Sequence, residues 1–180
     1  MATVLRFGVH TGWLGCGLLL ACLLPAMAAA GKAIQLEVTT SLGDGQVFRE
    51  GDDVSFFLSL DRDAYLLLVY QDAAGRLLQL FPNAGNPTGF LPAASYVKFP
   101  FADSRFRLRV AAPFGEETLW AFAASEPFPN ISGQVLSGDA VSLSIAMQHL
   151  LQRVRGHGRR PAVAYGEAQV KLTTQAARKR

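Results

Sequence analysis

The sequence predicts a mainly β chain: an immunoglobulin-like β-sandwich with one C-terminal helix and a final strand. Three observations lead there. Short runs of alternating apolar and polar residues recur, separated by turn signals every ten residues or so. One run, Ala64 to Tyr70, is apolar on both faces and reads as a central strand covered on both sides. A single stretch near the C-terminus switches to helical spacing.

Each element follows in order. Ala33 to Thr40 alternates at Ile34, Leu36 and Val38, and Gly43-Asp44-Gly45 turns the chain. Val54, Phe56, Leu58 and Leu60 alternate with Ser55 and Ser59, a strand with one wetter face. The corner Asp61-Arg62-Asp63 leads into the central strand, and Asp72-Ala73-Ala74-Gly75 signals a hairpin into Arg76 to Phe81. Pro82 ends that strand because proline cannot donate to a ladder. A turn-rich loop from Asn83 to Pro92 precedes a short strand from Tyr96 to Phe99. Arg105 to Val110 alternates strictly, with Phe106, Leu108 and Val110 inward and three arginines outward. Thr118 to Ala123 forms another strand. Leu143, Met147, Leu150, Leu151 and Val154 then predict a helix over 139–155, capped by Asp139 and stopped at Gly156. Ala162 to Thr173 is the last strand, and 175–180 is a basic tail.

The chain has 180 residues, and its first 30 read as a cleavable secretory signal. Arg6 supplies the charge, Trp13 to Leu24 the apolar region, and Pro25 to Ala30 the small residues, with cleavage after Ala28 or Ala30. Two other leaders fit less well: an uncleaved anchor over Trp13 to Ala30, and a lipobox-like Leu19-Leu20-Ala21-Cys22 that would leave the chain lipid-anchored through Cys22. Cleavage leaves one domain, 31–174, periplasmic or secreted and not integral to the membrane. Both cysteines, Cys16 and Cys22, leave with the signal, and a core of this size needs no disulfide.

Charge is divided along the chain. From Lys32 to Gln152 there are eight basic and thirteen acidic residues, whereas from Arg153 onward there are eight basic and one acidic. The basic pI of about 9.1 is therefore C-terminal in origin, and with no aromatic interleaving there nucleic acid is not an expected partner. Arg105, Arg107 and Arg109, about 7 Å apart on one strand face, are candidate anion or partner contacts. So are Arg159 and Arg160, with Arg178-Lys179-Arg180 behind them, which suit an acidic envelope component. An ordinary solvated face and a helix end account for both sets as well.

Catalytic patterns are missing. The chain has no Gly-x-Ser-x-Gly elbow, no His-Glu-x-x-His and no phosphate loop, and only His149 and His157 follow the leader. No catalytic residue, cofactor or metal is therefore expected. Glu50, Asp52, Asp53, Asp61 and Asp63 gather at two corners, but turn chemistry explains them better than a calcium loop.

Glu50-Gly51-Asp52, Asp63 to Tyr70, Gly75 and Leu80-Phe81-Pro82-Asn83, followed by Ala94-Ser95-Tyr96, Phe99-Pro100 and Leu119-Trp120-Ala121, carry a resemblance. Over 35–125 the chain resembles the uncharacterised bacterial family called domain of unknown function 4384. Members occur alone after signal peptides or attached to kinases, caspase-like peptidases and envelope proteins. The resemblance implies a portable accessory or binding module and supplies no catalytic residues. The expected function is a non-catalytic module of the bacterial cell envelope whose partner is another envelope protein or component. The alternatives are a hydrolase with an unfamiliar site, which needs titrating groups converging in a pocket, and a periplasmic small-molecule or polysaccharide carrier, which needs an apolar-rimmed cleft.

Overall fold

The computed structural model describes residues 33–41, 43, 45–136 and 140–178. The expected signal segment 1–30, the expected helix cap Asp139 and the end of the tail lie outside the described residues. In chain order the strands are β1 (Leu36–Thr40), β2 (Val47–Arg49), β3 (Asp53–Val54), β4 (Phe56–Leu60), β5 (Ala64–Gln71), β6 (Leu77–Phe81) and β7 (Phe90–Leu91). There follow β8 (Ala94–Phe99), β9 (Leu108–Arg109), β10 (Glu116–Ala124), β11 (Gly133–Val135), β12 (Val141–Leu143), helix α1 (Met147–Gly158) and β13 (Tyr165–Gln175). The fold is mainly β, a sandwich with one helix and a final strand, as the alternation predicts.

A small sheet, β1-β4-β8, faces a large one ordered β11-β12-β6-β5-β10-β13-β2, with β7 extending the β6 side of β5. β3 and β9 form a separate two-stranded ladder. Leu66 and Leu68 of β5, Leu119 and Ala121 of β10, and Phe56 and Leu58 of β4 fill the space between the sheets. The other phase of the same strands, Leu67, Val69 and Phe122, packs under Leu150 and Val154 of the helix. Because side chains of a strand alternate between faces, β5 must be apolar throughout to serve both layers. Leu66, Leu67, Leu68 and Val69 are each at most 2% exposed.

The hairpin at Asp72 closes as expected, with the Gly75 N–H donating to the Asp72 carbonyl at 2.8 Å and Gly75 at φ 79°.

The helix differs from the expected 139–155. It runs over Met147–Gly158, starting at an extended Ala146 that offers no side-chain cap. Leu143 belongs to β12, where it pairs with Leu77 of β6. It kept helical spacing with Met147 and Leu150 because strand and helix both point apolar side chains into the same layer. Gly156 lies inside the helix; the stop comes at Gly158, where a Cβ would sit 2.4 Å from the Tyr165 ring. Among the described residues no helix is long and apolar enough to cross a membrane.

Candidate functional site

β3 and β4 are nearly one strand, broken at Ser55. Asp53 and Val54 pair with Arg109 and Leu108, while Phe56 and Phe57 pair with Phe99 and Lys98. β8 and β9 thus align along the same partner, and the residues between them, 100–107, leave the ladder. The expected strand from Arg105 to Val110 is corrected accordingly: only Leu108–Arg109 is strand. Pro100 lacks the donor needed to continue β8. The excursion is instead pinned by rings: Phe101 lies edge-on to Phe81 and Phe99, both at 5.2 Å, and Phe106 to Phe99 at 5.9 Å. Side-chain alternation survives, with Phe106 and Leu108 half-buried, Val110 buried and all three arginines exposed.

The arginines do not act as one stripe. Arg105 borders a pocket of about 240 Å³ beside Asn83 and Asn86. Arg107 borders a groove of about 740 Å³ beside β8, and Arg109 a cleft of about 200 Å³ near Tyr70 and Glu117. Asp53 stands between two of them, 3.3 Å from Arg109 Nε and 3.9 Å from Arg107. Lys98 shares the groove with Arg107. Among the described residues neither Lys98 nor Arg105 has a carboxylate within ion-pair reach. The groove floor is apolar, formed by Val54, Val97, Phe101, Phe106 and Leu108. At its mouth Tyr96 is 71% exposed and stacks on Phe57, ring centres 5.0 Å apart.

Arg159 and Arg160 lie across the large sheet from this groove, at the C-terminal end of α1. Arg159 closes the helix, its N–H donating to the Arg155 carbonyl at 3.1 Å. Arg160 pairs with Glu126 at 3.0 Å and lies 3.3 Å from His157 Nδ1. Arg155 grips Glu167 of β13 through two bonds, at 3.0 and 2.6 Å, and Tyr165 donates to the same carboxylate at 2.9 Å. These contacts hold the Glu167 carboxyl below its ordinary range, Arg155 contributing most. His149 is exposed, whereas His157 is buried against Phe128.

The corner carboxylates hold turns and chain ends. Asp52 accepts from the Arg49 N–H at 2.8 Å, Asp61 from Gln35 at 3.0 Å, Asp63 from Ala93 at 2.8 Å and Glu50 from Ala177 at 3.3 Å. Among the described residues no group of three or more His, Cys, Asp or Glu is placed to hold a metal ion.

Sequence reasoning missed a buried polar cluster. Glu117 of β10 is 6% exposed, and its two oxygens accept from the Tyr70 hydroxyl and, at 3.2 Å, the Thr174 hydroxyl. The Gly115 N–H donates to Thr174 Oγ1 at 3.1 Å. Burial first, then Glu117, pushes the Tyr70 phenol well above its ordinary value. The signal was present: Glu117 shares the core-facing phase of Leu119, Ala121 and Ala123, where a carboxylate needs buried partners.

Residues 47–127 match the family model described as domain of unknown function (DUF4384). Over that segment the chain is similar to DUF4384. No curated protein and no solved structure matches it. The DUF4384 segment takes in β2 through β10, and with them the groove, Tyr70 and Glu117. It leaves outside β1, the helix, β13 and Thr174, which the same core requires. The match begins twelve residues after the start of the 35–125 resemblance and ends two residues beyond it.

Proposed function

We propose that this chain is an exported, non-catalytic binding module of the bacterial cell envelope, periplasmic or secreted, whose partner is another envelope protein or component. One observation carries the reading: an apolar-floored groove of about 740 Å³ within the DUF4384 segment, with Lys98 and Arg107 on its rim. Of the eight basic residues from Lys32 to Gln152, four fall between Lys98 and Arg109, in a region otherwise rich in acid. Concentrating cations around apolar surface favours encounter with acidic partners. The leader over Met1 to Ala30 supports export. The side chains that meet in these clusters, buried Glu117 with Tyr70 and partly exposed Glu167 with Arg155, are engaged in joining strands and helix, which supports a binding role over hydrolysis.

The test is expression in the native host with cell fractionation and intact mass. The mass should lack residues 1–28 or 1–30, and the chain should partition with the envelope in a salt-dependent way. Lys98→Glu with Arg107→Glu should weaken that association. Neutralising Arg159 and Arg160 and deleting Arg178 to Arg180 measures the tail's share. A retained leader, or fractionation indifferent to salt and to both sets of changes, would refute the proposal.

A further inference from the structure

We infer that the groove beside β8 takes an acidic, extended segment of a partner polypeptide, which adds to β8 as a further strand. The inference rests on the binding-module reading and names the class of its occupant.

β8 is the outermost strand of its sheet. Its ladder is with β4, and among the described residues no other backbone hydrogen bond reaches Ala94–Phe99. An edge strand directs the N–H and C=O groups of alternate residues outward, and those groups template another extended chain. Tyr96, Val97 and Lys98 of this strand line the groove together with residues of the excursion over 100–107. Charge selects the occupant: Lys98 and Arg107 outnumber the one carboxylate lining the groove, Asp53, which Arg107 shares with Arg109, and Lys98 is unpaired among the described residues. Val97, Phe101 and Phe106 offer apolar floor to alternate side chains of that strand. Exposed Tyr96 at the mouth is the residue type that anchors interfaces. A polysaccharide or lipid headgroup would answer the charge but has no use for a free strand edge.

The experiment uses the full chain purified from its host and fluorescent peptides of about ten residues that alternate Glu with Val or Phe. Three comparisons accompany them: the Lys-for-Glu peptide, the acidic peptide N-methylated at alternate residues, and polygalacturonate or phosphatidylglycerol vesicles. Anisotropy should report binding of the acidic peptide that weakens about tenfold or more in Lys98→Glu/Arg107→Glu. Tyr96→Ser should weaken it too, and Lys171→Glu, on the helix-bearing face of the large sheet, should leave it unchanged. All replaced side chains are exposed, and circular dichroism checks that each variant keeps its fold. N-methylation should abolish binding, because it removes donors without altering charge. Equal binding of the N-methylated peptide would overturn the strand-addition claim. Tighter binding of the polysaccharide or the vesicles would also overturn it while leaving the module reading intact. Failure of every anionic probe, together with fractionation indifferent to the groove variants, would remove both.

Discussion

A carboxylate facing the core is tolerated only when hydrogen bonds replace the water it has lost. Glu117 meets that condition with two hydroxyls drawn from neighbouring strands, Tyr70 on β5 and Thr174 on β13, so one side chain ties three strands of the large sheet. Among the described residues no ion pair reaches Glu117, so its support comes from these hydrogen bonds in a region of low dielectric. Tyr70→Phe removes one donor and leaves the ring in place, so the packing changes little while one carboxylate oxygen loses its partner. The expected cost is about 1–3 kcal/mol, read as a lower urea midpoint. Adding Glu117→Leu to that variant should recover part of the loss, since the orphaned acceptor is then gone. A midpoint unchanged by Tyr70→Phe would mean that water already satisfies Glu117 and that the cluster is not closed.

The helix is an added layer on the sheet, and Leu150 and Val154 bury against Leu67, Val69 and Phe122 to hold it there. Arg155 and Glu167 fasten its exposed side to β13. Arg155 depresses the Glu167 carboxyl below its ordinary value of 4.5, so the unfolded chain binds that proton more readily than the folded one. The stabilisation is therefore complete above about pH 5 and is lost as pH falls below 4.5 through the folded value. Both side chains are partly solvated, which limits the contribution to about 1 kcal/mol or less. Comparing urea midpoints of the native chain and Glu167→Gln across pH should show a constant gap at neutral pH that narrows in acid. A gap that widens in acid would contradict the assignment. Elements of this length were legible in the sequence wherever periodicity had room to repeat. β5 announced itself by being apolar on both phases, and β10 by its run around Trp120 and Phe122. β2, β7, β11 and β12 have two or three residues each, and their existence depends on a partner strand rather than on any local period. The helix start was hidden because Leu143 enters the same layer from a strand. At the candidate site, the outward phase of Arg105, Arg107 and Arg109 was legible. The groove was not, because it exists only where 100–107 departs from β8.

At the scale of the molecule, the family segment and the folding unit are different lengths of chain. Residues 47–127 contain β5 and β10 but lack β13, which lies between β10 and β2, and β1, which pairs with β4. Cutting at those limits would open the edge of β10 along nine paired residues, Glu116 to Ala124, and leave β2 without its parallel partner. It would also remove the helix and expose Leu67, Val69 and Phe122 on the second face. Each such side chain is worth about 1.5–3 kcal/mol when buried, and a domain's whole stability is only about 5–15 kcal/mol. The deficit from one uncovered face alone is of the size of the margin. A fragment spanning 47–127 should therefore show no cooperative urea transition by Trp120 fluorescence and should bind a hydrophobic dye, whereas 33–178 should unfold in one step. Restoring 128–178 without 33–46 tests the lesser seam: β4 then loses β1, and Gly166, whose missing Cβ admits the Ile34 carbonyl, loses that neighbour. This second fragment should fold with a reduced midpoint, because the large sheet and its helix are complete while one edge of the small sheet is bare. A fragment 47–127 that unfolds sharply and excludes dye would show that the helix and last strand decorate an autonomous domain, and the three-layer account of its stability would be wrong.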